Sequence, residues 1–289
     1  MKICLACSTR FDDPGWTCPR CRATPRPLAG FPAFSPELAE CESGFAADTF
    51  AQLAAVEAGH FWFRARNRLI VWALRTCFPG ARTFLEIGCG TGFVLSGVSE
   101  AIPDLLLQGS EVSVAGLPYA AARVPSARLF QMDARKMPFE EEFDVIGAFD
   151  VLEHVAEDVE VLAEMRKATA PGGGIVVTVP QHPFLWSVAD DRAGHVRRYR
   201  RRDLVQKVRR AGLRVVRATS FVSLLLPAMI ASRLPARRTA AARDPLAEFR
   251  LPPWKNRLFE GVMDLERQLI ERGLSFPAGG SLLLVARRY

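Results

Sequence analysis

The sequence has few features of a membrane-spanning, secreted or repetitive protein. None of its apolar runs reaches eighteen residues, about the length that a membrane-spanning helix needs. The opening stretch MKICLACSTR lacks the apolar segment of a secretory signal, so we expect a cytoplasmic protein. No internal repeat or long low-complexity tract is visible. With 289 residues, 49% of them hydrophobic, the chain can bury one sizeable core and carry a small additional module.

The net charge of +7 and the pI near 9.3 leave three kinds of explanation open. They are compatible with an RNA partner, with anionic lipid headgroups, or with a proteome rich in arginine, and we favour the last. The densest basic cluster is HVRRYRRRDL, from His195 to Leu204. Basic residues of this kind also solvate the start of an ordinary surface helix, so the cluster does not decide between the three.

Four of the seven cysteines form two CxxC pairs separated by ten residues, in CLACSTRFDDPGWTCPRC. Two such turns bring four thiolates to one tetrahedral Zn²⁺ ion and leave no coordination position open, which predicts a structural zinc ribbon over residues 1–30. A redox role is less favoured because no βαβ pattern surrounds the pairs. The predicted ligands are Cys4, Cys7, Cys18 and Cys21. Phe11 and Trp16 would supply the small core of the ribbon.

A proline-rich linker over residues 31–44 is expected to lead into a main domain over residues 45–289. Apolar residues recur at helical spacing from Phe45 to Phe78, and short apolar runs then alternate with helical segments. Such alternation predicts an α/β fold with a parallel sheet covered on both faces. An insertion at about 223–279, holding FVSLLLPAMI and an amphipathic helix, separates the last two strands.

The first strand of this domain runs into the glycine loop of FLEIGCGTG. Gly88, Gly90 and Gly92 form GxGxG, whereas the dinucleotide fingerprint is GxGxxG. Glu86 lies two residues before the loop, where a carboxylate would repel a pyrophosphate but attract an amino-bearing or cationic ligand.

Two further acids follow the next two strands. Glu111 ends the second strand, where a carboxylate can accept hydrogen bonds from ribose hydroxyls. Asp133 ends the third, where its backbone and side chain can read an adenine edge. Three acids beside a glycine loop suit a nucleoside that carries no phosphate, and S-adenosylmethionine is such a ligand.

These motifs together resemble those of the class I methyltransferases that depend on S-adenosylmethionine, in the broad group related to ubiquinone and menaquinone biosynthesis. The resemblance rests on LEIGCGTG, Glu111, MDARKMPF, FDVIGAFDVLEHV and APGGGIVVTVP, and it extends roughly from Phe61 to Tyr289. It implies a Rossmann-like sheet of seven strands in the order 3-2-1-4-5-7-6. It also implies the following cofactor-binding set: Glu86, Gly88, Gly90, Gly92, Glu111, Asp133, Ala134, Asp150 and Val151.

Methyl transfer needs a base only when the acceptor must lose a proton, and three histidines are candidates for that role. His154 follows the fourth strand in DVLEH, and its alternative role is to orient the loop beneath the cofactor. His182, in VPQHPFLW, and His195 follow the fifth strand, where the fold borders the acceptor pocket.

Residues for the acceptor are expected in two places. Trp62, Arg64 and Arg66 come together in HFWFRARNRLI just before the first strand, where helices of this group cover the cofactor and could grip an anionic acceptor. Amphipathic packing explains the neighbouring phenylalanines equally well. Tyr199 is assigned to the acceptor pocket beside His195.

We therefore expect methylation of a small or lipid-linked acceptor at oxygen or carbon. The segment FVSLLLPAMIASRLPARR is too short to span a bilayer, but it suits a peripheral membrane contact; a buried lid or dimer contact is the alternative. The competing hypothesis is a ribosomal RNA base methyltransferase, because one such family carries a zinc module before the same fold. The absence of an NPPY-like motif, with FDVL at Phe149–Leu152 instead, lowers its rank. Nothing in the sequence resembles a helix that reads DNA.

Overall fold

The computed structural model describes residues 1–39, 47–236 and 251–289, with side chains except at 47–48 and 233–236. Two segments lie outside the described residues. The first, 40–46, holds Cys41, the end of the linker and the expected domain start at Phe45; the second, 237–250, holds the basic part of the insertion.

The N-terminal region contains two short hairpins. Strands β1 (Lys2–Ile3) and β2 (Arg10–Phe11) pair with each other in an antiparallel manner. Strands β3 (Arg26–Leu28) and β4 (Phe31–Ala33) form the second hairpin, in which Pro27 lies opposite Pro32.

The helices and strands of the main domain alternate as the sequence predicts. In chain order the next elements are α1 (Ala47–Val56), α2 (Phe61–Cys77), β5 (Thr83–Ile87), α3 (Phe93–Ala101), β6 (Leu106–Glu111), α4 (Leu117–Arg123), β7 (Arg128–Gln131), β8 (Phe143–Phe149), α5 (Asp158–Ala168) and β9 (Thr169–Pro180). They are followed by α6 (Val188–Arg192), α7 (Arg201–Arg210), β10 (Arg214–Phe221), α8 (Leu226–Ala236), α9 (Pro253–Glu271) and β11 (Ser281–Arg287).

The main sheet has nine strands in the order β10-β11-β9-β8-β5-β6-β7-β4-β3. Strands β5 to β9 are parallel to one another, and β11 lies antiparallel between β9 and β10. Numbered along the chain from β5, the seven strands of the main domain run 3-2-1-4-5-7-6. The prediction of an α/β fold with a mostly parallel sheet is confirmed.

Two strands beyond the expected seven extend the sheet, because the second N-terminal hairpin joins its edge. Ala33 of β4 pairs in parallel with Gln131 of β7. The buried Gln131 amide also holds Ser35, two residues further on: its Oε1 accepts from the Ser35 N–H at 3.0 Å, and its Nε2 donates to the Ser35 carbonyl at 2.7 Å. Residues expected to end the ribbon and begin the linker are therefore part of the sheet.

Trp16 also lies elsewhere than expected. Phe11 packs with Cys4 and Cys18 in a small N-terminal cluster. Trp16 instead packs on the main sheet, with ring centroids 4.6 Å from Phe34 and 5.6 Å from Phe139. An indole has more apolar surface than a ribbon of this size can cover, so it packs, partly buried, against the larger core.

Each face of the sheet carries its own core, because side chains alternate along a strand. Phe84 of β5 points to the face that α2, α3 and α9 cover, and Leu85 to the face that α5 and α7 cover. Both side chains are fully buried. The amphipathic helix expected in the insertion is α9, which packs on α2. Within the described parts of the chain, no helix is long and apolar enough to cross a membrane.

Candidate functional site

The glycine loop after β5 has a backbone that other residues would strain. Gly88, Gly90 and Gly92 have φ of 64°, 50° and 76°. A Cβ on Gly88 would lie 2.5 Å from a methyl of Val151, and one on Gly92 would lie 2.7 Å from the Cα of Ala120. The loop therefore needs glycine for both conformation and space.

Glu86, near the end of β5, is 2% exposed. Within the described residues its Oε2 has no hydrogen-bond partner. Burial raises the pKa of Glu86 well above the usual range, and the nearby Arg66 charge opposes that rise. A buried carboxylate oxygen that lacks a hydrogen-bond partner is suited to an amino or cationic group of a ligand.

Glu111, at the end of β6, meets the glycine loop directly. Its carboxylate accepts hydrogen bonds of 2.9 Å from the Gly90 N–H and the Val112 N–H, and one of 3.3 Å from the Ser113 N–H. Burial raises the pKa of Glu111, and these backbone donors partly offset the rise. The structure thus brings together two features that are separated by about twenty residues in the sequence.

Asp133 follows β7 and is held by its neighbour. Its carboxylate accepts from the Arg135 N–H at 2.9 Å and from the Arg135 guanidinium at 3.0 to 3.1 Å. Arg135 also contacts Glu157 at 3.1 Å. Ala134 is partly buried against the core that α5 and α7 cover.

The two arginines of α2 point to different places. Arg66 is 8% exposed, forms an ion pair with Asp150 and lies over the Trp62 ring at 4.5 Å. Asp150 has φ of 58°, an uncommon value for a residue other than glycine, and its carboxylate contacts Arg66. Arg64 instead donates from Nε to Glu260 of α9 at 2.9 Å, so it ties α2 to α9.

A buried cluster beneath the glycine loop was missed by the sequence analysis. Glu57 is 6% exposed, and its two oxygens accept from the Thr91 hydroxyl at 2.8 and 2.6 Å. Arg123 of α4 pairs with Glu57 at 2.5 Å and contacts the Thr91 hydroxyl at 2.8 Å. Thr91 belongs to the GCGTG motif, so it was the one member of this cluster that the sequence could have indicated. Glu57 and Arg123 are too far from Thr91 in the sequence for their spacing to connect them.

His154 and His195 come together, with ring centroids 4.7 Å apart at 82°. Burial, followed by the His195 charge, lowers the pKa of His154 to about 4. His195 Nδ1 lies 2.9 Å from Asp190 Oδ1, and its Nε2 lies 4.0 Å from Glu153 Oε1. Glu153, which the sequence analysis did not single out, is completely buried beside the two rings.

His182 and Tyr199 do not join this pair. His182 has φ of 63°, its N–H donates to the Tyr199 carbonyl at 2.9 Å, and burial lowers its pKa. Tyr199 is 2% exposed, and its hydroxyl donates to Asp158 at 2.6 Å. Burial, followed by the hydrogen bond to Asp158, raises the pKa of Tyr199, and the side chain lies within the core.

The mostly parallel sheet is that of a Rossmann-like domain, and its glycine loop and strand-end acids meet at one edge of the sheet. A family model described as a methyltransferase domain matches residues 54–218, which is more than half of the chain. The chain therefore belongs to this methyltransferase domain family, and the class expected from the sequence is confirmed.

Similar proteins include methyltransferases of quinone biosynthesis. The chain is 30% identical over 129 residues to a ubiquinone biosynthesis O-methyltransferase of Roseobacter denitrificans, covering 42% of this chain and 50% of that protein. It is 32% identical over 121 residues to a demethylmenaquinone methyltransferase of Renibacterium salmoninarum, covering 42% and 49%. The match thus extends over about half the length of these relatives.

A solved structure of phosphoethanolamine N-methyltransferase 2 from Haemonchus contortus, in complex with S-adenosyl-L-methionine, has a similar fold. Its TM-score is 0.57 at 15% identity, covering 87% of this chain and 59% of that one. At this identity the likeness concerns the fold alone.

Proposed function

We propose that this protein transfers a methyl group from S-adenosylmethionine to a small-molecule or lipid-linked acceptor, at oxygen or carbon. The observation that carries the proposal is the contact between Glu111 and the glycine loop. The resemblance assigns Glu86, Glu111 and the three loop glycines to this nucleoside, and the Gly90 N–H donates to Glu111 at 2.9 Å. Similar proteins are named as methyltransferases of quinone biosynthesis.

Each group of the site has a part in cofactor binding. The glycine loop and Glu86 take the methionine and ribose side, where the unpartnered oxygen of Glu86 receives the amino group. Glu111 accepts from the ribose hydroxyls. Asp133 and Ala134 border the adenine, while Asp150 and Val151 close the site after β8.

The transfer itself is an in-line displacement. The acceptor atom would bond to the methyl carbon as the carbon–sulfur bond breaks, and the electron pair would stay on sulfur as a neutral thioether. A proton carried by the acceptor oxygen or carbon would pass to water or to a nearby base. The protein's main tasks are to align the two atoms and to exclude water. Trp62 and Arg66 stand on the acceptor side of this arrangement; Arg64 is left out because Glu260 holds it.

The four N-terminal cysteines fit a structural zinc ion, which we propose for residues 1–30. The Sγ atoms of Cys4 and Cys21 are 3.6 Å apart, as are those of Cys7 and Cys18, and all four lie within 4.8 Å of one another. A tetrahedral site with bonds of about 2.3 Å spaces its sulfurs by about 3.8 Å. Bound zinc would supply folding stability and no chemistry, because four thiolates leave it no open position.

Calorimetric titration of S-adenosylhomocysteine tests the proposal. We expect the native protein to bind it, and Glu111→Gln to bind at least tenfold more weakly, because a charge-assisted hydrogen bond is worth about 1.5–3 kcal/mol. Glu100→Gln, an exposed change on α3, is the matched control and should bind like the native protein. Lack of binding by the native protein would refute the proposed function.

A further inference from the structure

Glu153 is a carboxylate that the fold leaves without compensation. Its side chain is completely buried, and within the described part of the chain neither oxygen has a hydrogen-bond partner. Two arginines are near enough to affect it, but Arg66 pairs with Asp150 and Arg198 pairs with Asp190. Both nearby arginines thus form their ion pairs with other carboxylates and not with Glu153.

What Glu153 faces instead is the pair of imidazoles. One ligand atom from each of Glu153, His154 and His195 can be chosen so that all three lie within 4.8 Å of one another. The 4.0 Å between Glu153 Oε1 and His195 Nε2 is too long for a hydrogen bond. Two bonds of about 2.1 Å at a tetrahedral angle span about 3.4 Å, so a closure of roughly half an ångström brings these two atoms onto one metal ion.

The surroundings of His195 are those of a metal ligand. Asp190 is 1% exposed and accepts from Nδ1 at 2.9 Å, which directs Nε2 toward Glu153. Metal-binding histidines characteristically donate their other ring nitrogen to a carboxylate, which fixes the tautomer and the ring orientation. Asp190 is itself fixed by Arg198 Nε at 2.7 Å and by the Ser187 N–H at 2.8 Å.

We propose that Glu153, His154 and His195 bind a divalent first-row metal ion. Two imidazoles and one carboxylate suit such an ion and leave coordination positions open. An oxygen of the acceptor takes one of them, a role that rests on the proposed methyl transfer. His154 and His195 are then metal ligands, and neither is the general base for which the sequence made it a candidate.

Mn²⁺ is the probe that separates this site from the four cysteines, because thiolates select softer ions such as zinc. Titration of Mn²⁺ into the zinc-loaded protein, followed by the electron paramagnetic resonance signal of free Mn²⁺, should show one bound ion per chain. Glu153→Gln should weaken binding at least tenfold. Glu157→Gln, a matched change at an exposed residue in the same segment, should leave it unchanged.

A measurement on the native protein removes any dependence on how a variant folds. Pulsed resonance spectra of the bound Mn²⁺ should show coupling to imidazole nitrogen, which His195→Gln reduces. No Mn²⁺ binding, no nitrogen coupling, or equal affinity in Glu153→Gln would each overturn the proposal.

The outcomes also separate this proposal from the methyl transfer. If S-adenosylhomocysteine binds and Mn²⁺ does not, the metal site fails and the proposed function stands. If Mn²⁺ binds through Glu153 and S-adenosylhomocysteine does not bind, the reverse holds.

Discussion

Glu86 is a buried carboxylate that the fold keeps at a cost in stability. Its pKa is raised by burial above the usual 4.5. The folded state therefore favours the protonated form, and the stability that this contributes is present below pH 4.5 and lost as the pH rises through the raised pKa. Glu86→Gln avoids the loss, so we expect its stabilising effect to grow from pH 5 to pH 8, reaching at least about 1 kcal/mol.

Thermal melts of native protein and variant at both pH values measure this effect. A change of about 1 kcal/mol corresponds to roughly 2–4 °C in a chain of this size. Glu100→Gln, on the exposed end of α3, should show no such pH dependence. A constant difference between native protein and Glu86→Gln at all pH values would contradict the assignment of a buried charge.

Among the elements, α9 depends on ion pairs to α2. Glu260 accepts from both Arg64 and Arg68 at 2.9 Å, and the Arg64 hydrogen bond is the main cause that lowers its pKa to about 2. A depressed carboxylate pKa stabilises the fold above pH 4.5, and the effect fades as the pH falls toward 2. We expect Glu260→Gln to cost about 1 kcal/mol at pH 7, because the pairs are partly exposed, and less at pH 3.

Urea unfolding at the two pH values checks this expectation. Glu271→Gln is the matched control, since Glu271 pairs with Arg267 within α9 itself. An equal effect of the two variants would mean that the contact between α2 and α9 rests on its apolar side chains alone.

The element scale also shows how far the sequence could lead. The seven strands of the main domain were predictable because each is a short apolar run bounded by turns. The hairpin of β3 and β4 was not, because Pro27 and Pro32 are typical of a linker. The structure tolerates them because β3 is an edge strand and β4 pairs with β7 through Ala33, so few backbone donors are needed. Strand ends led to Glu86 and Glu111. Glu153 escaped notice because its neighbours His195 and Asp190 reach it only through a loop about forty residues away.

At the scale of the whole molecule, the N-terminal region is coupled to the sheet through Trp16. Besides the aromatic contacts, the Ile3 N–H donates to the Pro138 carbonyl at 2.9 Å, and Arg10 bonds to Glu140 at 2.7 Å. Trp16→Ala should therefore destabilise the protein by about 3 kcal/mol. Trp254→Ala removes the same side chain at a position that is 63% exposed, and should change the stability by no more than about 0.5 kcal/mol.

Removal of zinc by a chelator should act through the same contact. If zinc bound by the four cysteines stabilises the N-terminal region, its removal should free Trp16 from its contacts with the main core. We then expect a single cooperative melting transition to shift to lower temperature. The shift should be smaller in Trp16→Ala than in the native protein, because the variant has already lost that contact. Two separate transitions, of which chelation leaves the upper one unchanged, would show that the N-terminal region does not stabilise the main sheet. A single shifted transition instead means that zinc binding stabilises the main sheet, whose β7 holds the N-terminal segment through the bonds between Gln131 and Ser35.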